Sequence, residues 1–172
     1  MKKTCFLLTG LFFLILFSTQ IWAEPFAPVV DVPDDLLKPT NPAAIDAMMT
    51  KNSKVPSKED VGIPPYPKAK IAYTQQPSAA NINGKEIQPN HMIFMGTVDP
   101  SEEVLSFYRK ALSDWEYQEK WGTHIFHEGK GKFELMGESS MTTPHIQVRK
   151  AFPKENPLMP EMNTVVEVYY RP

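Results

Sequence analysis

The chain has 172 residues, with 18 basic and 20 acidic side chains and a net charge of −2. Its first 23 residues read as an export signal; removing them takes away Lys2 and Lys3 and leaves 149 residues with a net charge of −4. That balance argues against an electrostatic nucleic-acid binder. The 57 hydrophobic residues that remain are enough for one modest core and too few for two domains.

Met1-Lys2-Lys3 makes a positive start, residues 6–17 form an almost unbroken apolar run, and Ile21-Trp22-Ala23 ends on a small residue, so cleavage is expected after Ala23. The apolar run falls short of the roughly 20 residues needed to span a bilayer. Cys5 lies too early to be a lipidated cysteine, and it is the only cysteine in the chain. A mature chain without thiols has no disulfides, thiolate nucleophile, Cys-ligated zinc or iron–sulfur cluster. These features, with no N-x-[ST] site, point to a bacterial envelope protein, periplasmic or secreted.

Nine of the 17 prolines fall between Pro25 and Pro67, in a stretch without strand-like alternation. Residues 24–60 are therefore expected to form an extended, flexible arm. Within it, Asn41-Pro42 supplies an N-cap and a first-turn proline, and Ile45, Met48 and Met49 recur at i, i+3 and i+4. The spacing predicts a short helix over 42–50. A helix this short is marginal alone, and its three apolar residues read as a docking face for the groove of a partner protein or, alternatively, of the protein's own domain.

From residue 61 the signals become dense, and residues 61–172 are expected to fold by themselves. Strands are predicted over 70–74 and 91–98, separated by a turn at 81–84 containing Asn83-Gly84. Asp99 reads as an N-cap, Pro100 as N1 and Glu102 as the N3 residue of a capping box. Val104, Leu105, Phe107, Tyr108, Ala111, Leu112 and Trp115 lie in one arc of the helix that follows, so one face is buried. Alternating stretches then predict strands over 117–121, 124–127, 133–136, 145–151 and 164–170. The expected fold is α+β: a mostly antiparallel sheet of five to seven strands with one amphipathic helix on its dry face. On the wet face, His145, Arg149 and Tyr169 are candidate ligand-binding residues.

Pro65-Tyr66-Pro67-Lys68-Ala69 leads into a strand, and Thr97-x-Asp99-x2-Glu102-x-Val104-x2-Phe107-Tyr108 leads on to Leu112 and Trp115. Over about 55 residues this resembles a class of small exported bacterial domains of unassigned function, with Lys68 in place of the usual glycine. The matching residues form a turn, a cap and a helix face, so the resemblance implies a fold and carries over no catalytic residue.

Possible chemical constellations are few. His124 and His127 on a strand point to opposite faces and cannot grip one ion. His91 and Met95 share a face but stand roughly 13 Å apart along a strand, with Met92 on the other side, so a Cu(I) site would need Met136, Met141 or His145 from elsewhere. Glu128-Gly129-Lys130-Gly131-Lys132 has the composition of an anion nest and equally of a hairpin turn. None of the nucleophile-elbow, phosphate-loop, dinucleotide or zinc-protease motifs is present, and only an acid pair assembled in space, such as Glu116 with Glu138, would supply hydrolase chemistry. The loop over 153–163 holds three prolines with Leu158, Met159 and Met162, apolar residues suited to partner contact and equally to capping the edge of the core. No catalytic residue, metal site or cofactor is expected. The sequence favours a non-enzymatic periplasmic protein that binds another envelope component and meets the membrane only through that partner; the alternatives are a small-ligand or soft-metal (copper) binder and an unrecognised hydrolase.

Overall fold

The computed structural model describes residues 23–172 except Asn83. The expected signal segment, apart from Ala23 at its end, lies outside the described residues. Seven-residue stretches rich in β-branched and aromatic side chains form the two longest strands, β4 (His91–Thr97) and β8 (Thr164–Tyr170). They pair antiparallel without a break, from His91 opposite Tyr170 to Thr97 opposite Thr164. Around them β1 (Lys70–Gln75), β5 (Glu116–Lys120), β6 (Thr123–His127) and β7 (His145–Lys150) complete a six-stranded sheet in the order β1-β4-β8-β7-β6-β5. Every ladder in it is antiparallel. The Asn83-Gly84 region becomes a separate small hairpin of β2 (Ala80–Ile82) and β3 (Lys85–Ile87). The fold is α+β and mostly sheet, as the alternation predicts.

Period-two alternation sends Ile71, Ile93, Met95, Phe126, Ile146, Val148, Val166 and Val168 to one face, where they meet Val104, Leu105, Tyr108 and Leu112 from the helix α3 (Ser101–Ala111) and its C-cap. Phe107 and Trp115 pack at the margin of this core, and Ala111, expected within the buried arc, is exposed.

Asp99 does not cap α3: the helix opens after Pro100 without a side-chain cap. The carboxylate instead accepts a 2.5 Å hydrogen bond from the Tyr66 hydroxyl and pairs with Lys68 Nζ at 2.9 Å. Burial and the bond to Asp99 push the Tyr66 hydroxyl up to about 12, while the bonds from Tyr66 and Lys68 hold the Asp99 carboxyl below its usual range. The two halves of the motif behind the resemblance therefore meet here and tie the entry of β1 to the entry of α3.

The expected strand over 133–136 is absent. β5 and β7 hold both sides of β6, and the segment does not pair with the outer edge of β5. Phe133 instead turns inward and stacks on His127 at 4.9 Å. A short helix α4 (Glu138–Thr142) follows.

The Pro-rich stretch is seated on the sheet, in contrast to the flexible arm expected from its composition. Val30 N–H donates to the Ile71 carbonyl at 2.9 Å, and Ile71 N–H donates to the Pro28 carbonyl at 2.8 Å, so residues 28–30 line the outer edge of β1. Phe26 N–H donates to the Pro56 carbonyl, and Ser57 and Asp60 form a capping box that starts the one-turn helix α2 (Lys58–Val61). Phe26 is fully buried, in the same core as Tyr66, Val61 and Tyr108. Composition missed this because prolines remove donors only at their own positions, and the residues between them bond normally. Phe26→Ala is expected to destabilise the protein by about 3–5 kcal/mol, read as a lower urea midpoint at unchanged m-value; a change below about 1 kcal/mol would mean the segment is not part of the core.

Candidate functional site

The second face of the sheet carries Phe94, His145, Gln147, Arg149, Glu167 and Tyr169, neighbours through the β4-β8-β7 register. Sequence reading expects this face to be wet, with His145, Arg149 and Tyr169 available to a ligand. The structure brings the three together and commits each of them internally. His145 is fully buried, its ring 4.1 Å from and nearly parallel to Tyr169, with Phe133 tilted against it at 4.8 Å. Its Nδ1 donates to the Thr143 carbonyl at 2.9 Å, which leaves Nε2 to accept from the Gln147 amide at 3.1 Å. Burial pushes the imidazole down to about 4.

Arg149 holds Glu155 through both terminal nitrogens and reaches Glu167 at 3.2 Å. Tyr169 donates to the other Glu167 oxygen at 2.7 Å. The bond to Glu155 keeps the guanidinium firmly charged, and burial, then Glu167, raises the Tyr169 hydroxyl. Burial pushes the Glu155 carboxyl up, but its bonds with Arg149 and with the Phe152 N–H outweigh that and leave it below its usual range. Sequence reading missed Glu155 and Glu167. The available signal was Arg149 itself, since a guanidinium inside a sheet needs carboxylates and Glu167 lies opposite Gln147 in the next strand.

Beside this network lies a cleft of about 290 Å³ whose lining includes Asn90, Met92, Met141, Gln147 and Tyr169. It brings two thioethers to one place. His91 is not with them: it packs edge-on to Tyr170 at 5.5 Å on the other face. Met136 is exposed. His124 and His127 lie on opposite faces, the first 2.8 Å from the Tyr117 hydroxyl and the second against Phe133. Among the described residues no group of three His, Cys, Asp or Glu is placed to hold a metal ion. Glu138, half of the acid pair considered above, is paired with Lys85.

The loop over 153–163 divides between its two readings, part core cap and part exposed surface. Met162 is buried with Phe94 and Val165, because β4 presents Gly96 there: a Cβ on Gly96 would fall 2.2 Å from Met162 Sδ. Met159 packs partly against the same cluster, and Leu158 is half-exposed. A groove of about 320 Å³ runs between this loop and Val30, Lys68 and Val98.

The arm helix is α1 (Ala44–Lys51), starting two residues later than predicted, with Asn41 Oδ1 accepting from Ala43 N–H at 2.9 Å ahead of it. Ala44, Ala47 and Thr50 are buried and the helix packs against β1. Ile45 is 73 % exposed and Met48 53 % exposed, one turn apart on the outer side, while Met49 is half-buried. The expected stripe of three is thus a pair facing out and a third residue turned toward the domain.

No helix among the described residues is long and apolar enough to cross a membrane. Compared with protein families, curated proteins and solved structures, the chain matches none.

Because His145 titrates near 4 in the folded chain and near 6.5 when unfolded, the unfolded state binds more protons between those values. Stability present above pH 6.5 is therefore lost as pH falls toward 4, by on the order of 3 kcal/mol. Urea unfolding at pH 7 and pH 4.5 is expected to show a larger loss for the wild type than for His145→Phe, the carboxylates contributing alike to both. Equal losses would place the imidazole in contact with solvent.

Proposed function

We propose that this is a non-enzymatic protein of the bacterial envelope, working in the periplasm by binding another protein through the outer face of α1. The observation that carries this reading is the side-by-side exposure of Ile45 and Met48 on a helix whose opposite face, Ala44, Ala47 and Thr50, is buried against the domain. An unsupported eight-residue helix would fray. Seated on β1, α1 presents its two apolar side chains without a folding cost at the moment of binding, which favours association. The polar residues of the second sheet face support the reading indirectly, since His145, Arg149 and Tyr169 are occupied with one another's neighbours and offer little to a small ligand. The single observation favouring a soft-metal binder is the pair Met92 and Met141 in one cleft; stoichiometric Cu(I) uptake lost on changing both to Leu would support that reading instead.

A photo-crosslinking residue placed at Ile45 or at Met48 is expected to give a discrete adduct in living cells, and one at exposed Lys130 to give none. Met48→Ser should reduce the adduct formed at position 45 while changing stability by less than about 0.5 kcal/mol, as surface substitutions do. Absence of adducts at both helix positions, or equal labelling at Lys130, would overturn the proposal.

A further inference from the structure

The two edges of the six-stranded sheet differ. Residues 28–30 cover β1, whereas β5 is an edge strand, and four of its five residues are exposed. The two-residue turn Trp121-Gly122 closes on Lys120 opposite Thr123. Residues flanking such a turn exchange both main-chain hydrogen bonds, and alternate residues do the same. Glu116, Gln118 and Lys120 therefore direct their main-chain groups at β6, and Tyr117 and Glu119 direct theirs outward. Among the described residues no main-chain bond from beyond β6 reaches Tyr117 or Glu119.

A charged edge ordinarily repels further strands. The order of charges in Glu116-Tyr117-Gln118-Glu119-Lys120 has a different property: antiparallel to itself and centred on Gln118, it sets Glu116 of one copy opposite Lys120 of the other, twice. In that register the outward-facing Tyr117 and Glu119 of the two copies are also opposite, so four main-chain bonds form with no donor left over. The Glu116–Lys120 pairs fall at the positions where facing side chains approach most closely. Slipping the register by one residue sets Glu116 against Glu119 and loses the match. Neither Glu116 nor Lys120 forms an ion pair within its own chain among the described residues. The same register brings Trp121, 75 % exposed at the hairpin tip with φ of 54°, to the level of Trp115 of the other copy. A tryptophan in the left-handed region is strained where asparagine or glycine would not be, and within its own chain the exposed ring meets only the Lys120 ammonium, 4.5 Å from its centroid, among the described aromatic and cation contacts.

We infer that β5 is a self-association edge: two copies of the chain join β5 to β5 about a two-fold axis at Gln118, making one continuous twelve-stranded sheet. The partner is a second copy because the charge order is complementary to itself. The inference is independent of the protein-binding role of α1, and such a dimer would carry two α1 faces.

Sedimentation equilibrium on the full chain, purified as the cell processes it, is expected to show a weak dimer with Kd on the order of 10⁻⁵ M, since the added contact is one short strand. Glu116→Lys and Lys120→Glu, each turning both pairs repulsive, should each weaken it by about tenfold or more at low salt. The double variant, with the charges exchanged, should dimerise again, and an equimolar mixture of the two single variants should form a heterodimer. Amide exchange at Tyr117 and Glu119 should slow as concentration rises. A monomer at all concentrations up to about 1 mM would overturn the inference, as would a dimer indifferent to the swaps. Melting temperatures of the single variants equal to wild type exclude misfolding as the cause; a single variant that misfolds leaves the double variant's dimerisation as the deciding result.

Discussion

The distance between the edge strands of a six-stranded sheet is roughly 25 Å, while one α-helix covers about 10 Å of its width, and this shortfall governs where the rest of the chain goes. α3 covers the middle of one face through Val104, Leu105 and Tyr108. The apolar surface left beyond it toward β1 has to be closed by something else. Phe26, Val61, Ile63 and Tyr66 do this, all from the segment before the first strand. The bond from Tyr66 to Asp99 fixes that cover to the start of α3, so the helix and the segment beside it hold one position on the sheet together.

The second face meets the same shortage without a helix of comparable length. Loops cover it, and loops bring polar main chain that has to be satisfied. The Arg149–Glu155–Glu167–Tyr169 network and the His145 stack answer that need: Glu155, a loop residue, is anchored to a strand guanidinium, and Thr143, ahead of β7, is anchored by a ring nitrogen. The residues that read as a ligand set thus fasten the loop cover to the sheet.

The sheet was legible because alternation is a local signal. The bounds of β8 match the sequence reading, and Tyr108, within the arc assigned to the core, is fully buried. Other features were hidden because they depend on contacts distant in sequence. Asp99 carries a cap signature, yet a tyrosine 33 positions earlier takes its carboxylate. Phe26 sits among prolines that read as a spacer, and its burial depends on a ladder contact between residue 29 and residue 71. For Met162 the sequence leaves core and surface open, because nothing in its own loop indicates that Gly96 leaves a hollow beneath it. Helical spacing puts the candidate docking residues Ile45, Met48 and Met49 on one face but cannot say whether that face is inner or outer; Ala44 and Ala47, less apolar in bulk, fit closer to the strand and take the inner side, which leaves Ile45 and Met48 outside and Met49 half-buried.

The strand order β1-β4-β8-β7-β6-β5 has a bearing on timing. β1 and β4 form one ladder, and β5, β6 and β7 form another. Among the described residues β8, the last of the six in chain order, is the only strand paired with both. The two half-sheets stay unjoined until residues 164–170 are in place, so closure of the sheet waits for its last strand whichever half forms first.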